Sequence, residues 1–517
     1  MTVVALEATP VRVRSATLLA GAVVVLASLV AWWASVPYVV GVWHDDGVYA
    51  LLGRAIASGH GFHHTQLPGS PAAIHYPPLY PLLLAAAWWV APSFPDNISV
   101  FLALNAMLVG LAALGAFHFA RARLGWAEEA AALFALAGTL GAPVLALSGA
   151  LLSEPLFLAA LWPVLYAADR AADSSGTTRH AIAAGACTGA LMLVRSHALV
   201  LLIACVAVLA WRRRPIAAAG AVAAATLVVL PWQLWTMLAT PRVAPVLEGA
   251  YGSYLGWFVA GMRDGGVPFL IATARLNARE LWLLLQDRVV TGDAMFPRLL
   301  ATALLSALVI LGTWRLAQRA AVTALFLFSY FAIVIVWPYT PWRFLWGVWP
   351  LVLLCAAVGA SWLWHASSLP WARALTAGAA LLPAFGMART EWNAYGARAW
   401  SVPAHRAGEQ IAPLIAWVGR NTRPTDIVLA EGEQVISLFT GRRAAPTASF
   451  SAREYVVPRT LEASTTELRG LLALVPARFV LPLAPVQLEA ARRLRGVHPG
   501  LREVAPLPSS AAFEVVP

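Results

Sequence analysis

The chain has 517 residues, of which 60% are hydrophobic and only 12% are charged, and its mean hydropathy is +0.71. Soluble globular chains carry about 25% charged residues, so this composition excludes an ordinary soluble protein and predicts a polytopic helical membrane protein. The net charge of +11 comes from arginine alone, and much of that arginine lies in short clusters between apolar runs, which predicts cytoplasmic loops rather than nucleic-acid binding.

The first apolar run covers residues 17–38 and follows Arg12 and Arg14. Basic residues beside a span favour the cytoplasmic side, so we expect a cytoplasmic N-terminus. Trp32 and Trp33 stand where a cleaved signal peptide would need small residues, which predicts an uncleaved first span. Residues 41–97 then form a first loop on the outer side of the membrane.

Ten further apolar runs follow, and the arginine clusters between them fall on one side. These runs cover residues 98–119, 127–147, 151–168, 181–194, 198–211, 216–238, 299–317, 320–337, 344–364 and 371–388. Together they predict about eleven spans, an outer C-terminus and a second large outer loop at 240–297.

Residues 79–91 are apolar but lie between Pro77-Pro78 and Pro92. A bilayer crossing needs about 20 apolar residues, so this shorter run predicts an interfacial or partly buried helix. If it crossed the bilayer, the arginine clusters after it would face outward.

From about residue 390 the charged fraction rises and the apolar runs shorten. Residues 427–430, 435–439 and 478–482 have the composition of short strands, and residues 411–420, 461–474 and 486–494 that of helices. The chain thus divides into a membrane part at 1–400 and a small soluble extracytoplasmic α/β domain at 405–517.

Two adjacent carboxylates, Asp45 and Asp46, follow the first span. Charged groups are costly at a membrane boundary, so such a pair indicates a site of binding or chemistry. Capping of the helix that follows is the alternative function of this pair. Tyr49 lies one turn further on, where it serves as substrate contact or as a plain interfacial anchor.

The pattern Asp45-Asp46-x-x-Tyr49 followed by Tyr76-Pro77-Pro78 resembles the GT-C fold glycosyltransferases. In pattern it is similar to the bacterial branch related to protein O-mannosyltransferases and the lipid A aminoarabinose transferase. The resemblance covers residues 17–400. Glu154, Arg195 and Arg343 stand where that family has its second acidic position, a polar turn and a late arginine.

The resemblance implies transfer of a sugar from a polyprenyl-phosphate donor to an envelope lipid, glycan or protein, with inversion, at the outer face of the bacterial cytoplasmic membrane. A carboxylate is then needed to take the acceptor's proton, and Asp45 is assigned as the base with Asp46 as its partner, although their order stays open. The growing charge on the leaving phosphate needs cations, which makes Arg343 the first candidate for phosphate binding.

The remaining candidates keep open alternatives. Glu154 either caps its span or binds the acceptor or a metal, and Arg195 is either a substrate contact or a salt-bridge partner at a helix break. His75 and Tyr76 occupy the place before Pro-Pro where relatives often carry Lys or His, and the departure weakens a phosphate contact there.

Five of the eleven histidines fall in the first loop, namely His44, His60, His63, His64 and His75. A divalent metal near the acidic motif is therefore an open possibility, although Gly59 and Gly61 argue against a helix that would align His60 with His64. A polytopic transporter and a non-catalytic membrane scaffold are the rival functions. A transporter requires its polar residues at mid-membrane in paired halves, which the sequence does not show.

Overall fold

Helices make up most of the chain. The computed structural model describes residues 10–289, 292, 294–497, 500–508 and 510–516. The side chains of Arg12 and Arg14, on which the predicted cytoplasmic N-terminus depends, lie outside the described residues. The helices before residue 400 are α1 (Pro10–Ala34), α2 (Asp45–Ala57), α3 (Leu79–Val90), α4 (Ile98–Leu124), α5 (Glu128–Thr139), α6 (Ala142–Ser148), α7 (Glu154–Ala172), α8 (Thr178–Met192), α9 (Leu199–Trp211), α10 (Pro215–Leu238), α11 (Glu248–Tyr251), α12 (Tyr254–Arg288), α13 (Met295–Leu316), α14 (Ala321–Val336), α15 (Trp342–Gly347), α16 (Trp349–Ala366) and α17 (Pro370–Ala397).

Several of these helices are built to cross a bilayer. Helices α1, α4, α10, α13 and α16 are long and apolar enough, and the pair α5–α6, which bends by 57°, brings the number to six among the described residues. Helices α3 and α14 and the segment Ser196–Trp211 are apolar but shorter. The chain is a multi-pass membrane protein, and the predicted number of eleven crossings stays a prediction.

Helix α3 has the short length predicted for residues 79–91. Its 12 residues extend about 18 Å, which is less than a bilayer core. It packs against α2 through Trp88 and Trp89, whose indole N–H groups donate to the carbonyls of Ala50 (3.0 Å) and Ala57 (3.1 Å). The two helices of the first loop are therefore one packed unit.

The second predicted loop, residues 240–297, is mostly helical in its described residues. Helix α12 runs for 35 residues and is interrupted only at Gly266, which has φ 58° and ψ −153°. Alternating apolar and charged residues gave this segment a low hydropathy, but a half-exposed helix has the same composition. Its first turns carry Tyr254 and Trp257 towards the first loop.

Three arginine-containing connections and the turn between α7 and α8 meet at one end of the helices. Arg123 forms a two-point ion pair with Asp173 (2.6 and 3.1 Å), and Arg214 donates to the carbonyl oxygens of residues 171, 173 and 176. Arg319 donates to the carbonyl oxygen of Leu124 at 3.0 Å. The turn between α8 and α9, which contains Arg195, lies at the other ends of those two helices.

The C-terminal part contains one mixed sheet. Its elements are α18 (Val402–Asn421), β1 (Ile427–Ala430), α19 (Glu433–Thr440), β2 (Arg443–Ala445), α20 (Leu461–Leu474), β3 (Phe479–Leu481), α21 (Pro485–Arg493), β4 (Gly500–Leu507) and β5 (Ser510–Val516). The strand order is β2-β1-β3-β5-β4, with β1 parallel to β2 and β3, and β5 antiparallel to β3 and β4.

The predicted strands at 427–430 and 478–482 are found, but the one predicted at 435–439 is wrong because these residues lie in α19. Gly432 and Gly441, with φ 73° and 72°, turn the chain at the two ends of this helix. Helix α19 begins against α2: a Cβ on Gly47 would lie 2.6 Å from Cβ of Gln434. The C-terminal part therefore touches the acidic motif directly.

Candidate active site

The chain turns sharply before α2, and Asp46 holds this turn. Its Oδ2 accepts hydrogen bonds from the Tyr38 hydroxyl (2.9 Å) and the Gly41 amide (2.8 Å), and its Oδ1 accepts one from the Trp43 amide (3.0 Å). Asp46 is fully buried. Burial raises its pKa to about 6, against the opposing effect of these hydrogen bonds. Asp46 thus shapes the backbone that presents Asp45.

Asp45 is the first residue of α2 and faces a cavity. Its Oδ2 accepts from Arg343 Nη1 at 2.5 Å, and its Oδ1 accepts from the Tyr76 hydroxyl at 2.9 Å. Burial by itself would raise the pKa of Asp45, but the positive charge of Arg343, that of His44 and the two hydrogen bonds outweigh it and lower the pKa to about 2. The two neighbouring aspartates therefore do not share one site.

Glu154 joins two arginines beneath Asp45. Its carboxylate accepts from Arg343 Nε at 2.7 Å and Nη2 at 3.2 Å, and its Oε1 lies 2.7 Å from Arg195 Nη1. Glu154 and Arg343 are 2% and 6% exposed. The cluster of Asp45, Glu154, Arg195 and Arg343 has two charges of each sign, which compensates the cost of burying them.

A buried asparagine positions the start of α7 and with it Glu154. Asn105 on α4 donates to the carbonyl oxygens of Ser148 (3.2 Å) and Ala150 (2.7 Å) and accepts from the Tyr80 hydroxyl at 3.1 Å. The Leu151 amide donates to the Tyr38 hydroxyl at 2.9 Å. The loop before Glu154 is therefore tied to α3, α4 and the Asp46 turn.

Tyr49 and Tyr76 form an aromatic wall beside the charged cluster. Their rings meet edge to face at 5.1 Å, and Tyr49 makes the same contact with Tyr80. The Tyr49 hydroxyl donates to Ser153 Oγ at 3.2 Å, and Arg195 Nη1 donates to the same oxygen at 3.1 Å. Tyr49 is buried, so it is not a plain interfacial anchor.

His75 closes the wall towards α12. Its Nδ1 hydrogen-bonds the carbonyl oxygen of Gly252 at 2.5 Å, and its ring lies 3.9 Å from that of Tyr254. Burial lowers the pKa of His75 to about 4, with the hydrogen bond and Asp45 acting in the opposite direction. The imidazole is therefore neutral at pH 7 and adds no positive charge.

The other histidines of the first loop do not converge on a metal site. His63 Nδ1 lies 3.1 Å from the carbonyl oxygen of His60, and the His64 ring packs edge to face on Tyr251. Within the described ranges, no group of three or more His, Cys, Asp or Glu side chains is placed to hold a metal ion. Both Asp45 oxygens are engaged by Arg343 and Tyr76. These residues do not fit a divalent cation.

The charged cluster opens into a cavity of about 340 Å³, called here the Asp45 cavity. Several of its lining residues lie in segments that the sequence did not single out, namely Tyr254, Trp257, Trp337, Tyr339 and Phe450. Aromatic residues are frequent throughout this chain, so no local pattern separated these from lipid-facing ones. The opposite wall of the cavity carries Asp45, Arg195 and Arg343, which were predicted from the sequence as site residues.

A second space of about 290 Å³, called here the apolar pocket, begins at the same Asp45 and Arg195. Its walls come from α9, α12 and α14 and include Leu199, Phe258 and Val334. Asp45 is the one carboxylate among the described residues that line either space. One side of Asp45 thus meets aromatic and basic groups, and the other meets an apolar wall.

No protein-family model matches the chain, and no curated protein matches it. Solved structures do match. The archaeal oligosaccharyltransferase AglB from Archaeoglobus fulgidus, in complex with an inhibitory peptide and a dolichol-phosphate, is 14% identical, with 90% of this chain and 69% of that one covered and a TM-score of 0.54. ArnT from Cupriavidus metallidurans, bound to undecaprenyl phosphate, is 11% identical, with 96% and 97% covered and a TM-score of 0.51.

The Archaeoglobus fulgidus oligosaccharyltransferase in complex with Zn and sulfate is 15% identical, with 95% of this chain and 73% of that one covered and a TM-score of 0.55. At such identities the similarity establishes the fold alone. That structure contains zinc, and the described residues of this chain include no group of three or more His, Cys, Asp or Glu side chains placed to hold a metal ion.

Proposed function

From the GT-C fold that this chain shares with those membrane glycosyltransferases, we propose that it transfers a sugar from a polyprenyl-phosphate donor to an acceptor hydroxyl. The observation that carries the proposal is the position of Asp45. This carboxylate stands between two arginines and an apolar pocket, and each of these three features matches one part of the reaction: the proton, the phosphate and the lipid.

Asp45 is the general base of the proposed reaction. As the acceptor oxygen bonds to the anomeric carbon, its proton passes to Asp45, and the bond from that carbon to the phosphate oxygen breaks. The phosphate oxygen leaves with the electron pair as polyprenyl phosphate. A carboxylate in hydrogen-bond reach of the attacking hydroxyl is the group such a step requires.

Arg343 and Arg195 stabilise the leaving phosphate. Their planar guanidinium groups match phosphate oxygens, and both lie at the edge of the Asp45 cavity. In the unliganded arrangement Arg343 is paired with Asp45. A bound phosphate competes for Arg343, so donor binding weakens this pair and makes Asp45 a stronger base.

The apolar pocket receives the first part of the prenyl chain. Among the described residues its wall carries few polar groups beyond Asp45, Arg195 and the aromatic hydroxyls, and it lies between membrane helices. The AglB structure contains dolichol-phosphate and the ArnT structure contains undecaprenyl phosphate, and both molecules are polyprenyl phosphates.

The same geometry supports inversion at the anomeric carbon. A double displacement needs a second carboxylate free to attack that carbon, but both oxygens of Glu154 accept hydrogen bonds from Arg343. Because Asp45 is the one carboxylate that lines either space in the described part of the chain, a single displacement by the acceptor is favoured. Asp46 then acts as a positioning residue, and Tyr49, His75 and Tyr76 form the wall against which the sugar packs.

We further propose the predicted topology of eleven crossings, with a cytoplasmic N-terminus and the Asp45 cavity at the extracytoplasmic side of the bacterial inner membrane. The meeting of Arg123, Arg214 and Arg319 at the opposite helix ends supports this orientation. The division into a membrane part at 1–400 and an extracytoplasmic domain at 405–517 belongs to the same proposal. A transporter would need its charged site at mid-membrane instead.

Transfer can be tested with purified full-length protein in nanodiscs. Radiolabelled polyprenyl-phosphate sugars and a cell-envelope extract are added, and the release of polyprenyl phosphate and the labelling of the extract are measured. We expect both with the wild type and neither with Asp45→Asn. Asp96→Asn, a change at an exposed aspartate outside the cavity, is the matched control. Equal release by the Asp45 variant and the wild type would refute the proposed function.

A further inference from the structure

A large polar cleft lies between the start of α12 and the segment 447–467 of the C-terminal part. Its volume is about 980 Å³, near the upper end of the range for small-molecule sites. Arg242, Glu248 and Trp257 line one wall, and Phe450 and Glu467 line the other. None of the residues assigned to the transfer reaction lines this cleft.

The cleft adjoins the Asp45 cavity. The two spaces share Gly249, Trp257 and Phe450 as lining residues. Gly249 lets the two walls approach, because a Cβ there would lie 1.7 Å from the carbonyl oxygen of Phe450. A molecule in the cleft can therefore present one end to Asp45 without entering the apolar pocket.

The charges of the cleft cancel. Three arginines and three glutamates line it: Arg242, Arg453, Arg459, Glu248, Glu454 and Glu467. Arg459 is occupied by ion pairs with Glu454 and Glu467. A site for an anionic phospholipid or a phosphorylated headgroup would require more arginines than acidic residues. A balanced lining favours a ligand without net charge.

Two buried hydrogen-bonding groups at the cleft have no partner among the described residues, namely Trp257 Nε1 and Ser449 Oγ. Such groups are rare in folded proteins and indicate a missing partner. The Ser449 backbone is held in place, since its amide donates to Glu467 Oε1 at 2.5 Å and its carbonyl oxygen accepts from Arg459. Trp257 stacks on Phe450 with ring centres 5.6 Å apart.

We propose that this polar cleft binds an uncharged oligosaccharide, which serves as the acceptor and presents a hydroxyl to Asp45. Aromatic rings pack on the C–H faces of sugars. Trp257 Nε1 and Ser449 Oγ are covered in the structure, and a rotation of either side chain brings its donor to a sugar hydroxyl. The acceptor role rests on the proposed transferase function, whereas the binding of a neutral glycan does not.

The test is direct binding of purified, detergent-solubilised full-length protein to an array of oligosaccharides that includes neutral and acidic members. We expect neutral oligosaccharides to bind. The variants Trp257→Phe and Ser449→Ala each remove one unpartnered donor, so they should weaken binding by about 2- to 10-fold without unfolding the protein. Trp392→Phe, a change at a side chain that is 82% exposed, should leave binding unchanged.

Asp45→Asn separates the two proposals, because it should abolish transfer and leave binding to the array intact. If the wild-type protein binds neutral oligosaccharides but transfers no sugar, this result counts against the proposed function and not against the cleft assignment. The cleft assignment is overturned if no neutral oligosaccharide binds, if acidic oligosaccharides bind in preference, or if Trp257→Phe and Ser449→Ala bind as tightly as the wild type.

Discussion

Replacing Asp45 by Asn should lower the turnover, raise the affinity for polyprenyl phosphate and lower the stability of the folded protein. Asn has the size of Asp and caps a helix equally well, so a capping function would survive. An amide takes no proton from the acceptor, however, and the loss of a general base costs about 10²- to 10⁴-fold in kcat. This corresponds to about 3–5 kcal/mol of activation free energy.

Affinity for the lipid phosphate should change the other way. The cluster of Asp45, Glu154, Arg195 and Arg343 is neutral as it stands, and the variant carries a net charge of +1. At roughly 5 Å and an effective dielectric constant of about 20, the removed repulsion between Asp45 and a phosphate is about 3 kcal/mol. We therefore expect polyprenyl phosphate to bind at least about 10-fold more tightly.

Stability should fall modestly. Pairing with Arg343 contributes to lowering the pKa of Asp45 from 3.8 to about 2, which corresponds to about 2 kcal/mol of stabilisation of the folded state. Because the folded-state pKa is lowered, this term is fully present above pH 4 and is lost as the pH falls towards 2. Asp45→Asn removes it at every pH.

The assay combines turnover, equilibrium binding of polyprenyl phosphate and thermal unfolding on the same nanodisc preparation, with Asp96→Asn as control. We expect a large loss of turnover, tighter binding of polyprenyl phosphate and a small loss of stability. Near-normal turnover would refute the assignment of the base. Weaker binding of polyprenyl phosphate would show that the phosphate does not lie beside Asp45.

Three further predictions follow from the same contacts. Asp46→Asn should lower the free energy of unfolding by about 1–3 kcal/mol, because the amide nitrogen of Asn would face one of the donors whose hydrogen bonds Asp46 accepts. Thermal unfolding measures this loss, and a variant as stable as the wild type would contradict the prediction. Arg343→Ala should weaken the binding of polyprenyl phosphate by about 10- to 100-fold, as expected for the loss of hydrogen bonds to a charged group. The ion pair between Glu154 and Arg195 should remain in this variant. Unchanged affinity would exclude Arg343 as the phosphate contact. Protonation of Asp45 should add no acidic limb to the pH profile of kcat/KM between pH 8 and pH 5, since the pKa of Asp45 is about 2 in the free enzyme. A limb near pH 6 that disappears in Asp46→Asn reports protonation of Asp46, whereas a limb that persists in that variant would contradict the assignment of Asp45 as the base.

Composition and periodicity alone determined the class of this protein. Long apolar runs separated by arginines are sufficient for a multi-pass helical membrane protein, since a backbone in lipid has to satisfy its own hydrogen bonds within helices. In the C-terminal part, the strands at 427–430 and 479–481 and the helix at 461–474 also followed from local pattern.

The local sequence pattern does not determine the secondary structure where the same composition is compatible with two different elements. The run at 435–439 is apolar and of strand length, yet Gly432 and Gly441 set it as a buried helix. The segment 254–288 is too polar for a span, as expected of a connection between spans, and only the structure shows that most of it forms a long helix. In both cases the neighbouring elements decide, and the sequence does not name them.

The acidic motif shows the same division. Its residue types indicated a reactive site, but adjacent residues on a helix point about 100° apart, so only the tertiary structure shows that Asp45 faces the cavity and Asp46 the turn. Arg343 lies 298 positions from Asp45 along the chain, and Glu154 lies 189 positions from Arg343. These three side chains come together only because separate helices pack side by side. The Coulomb interaction between charges depends on their distance in space and not on their separation along the sequence.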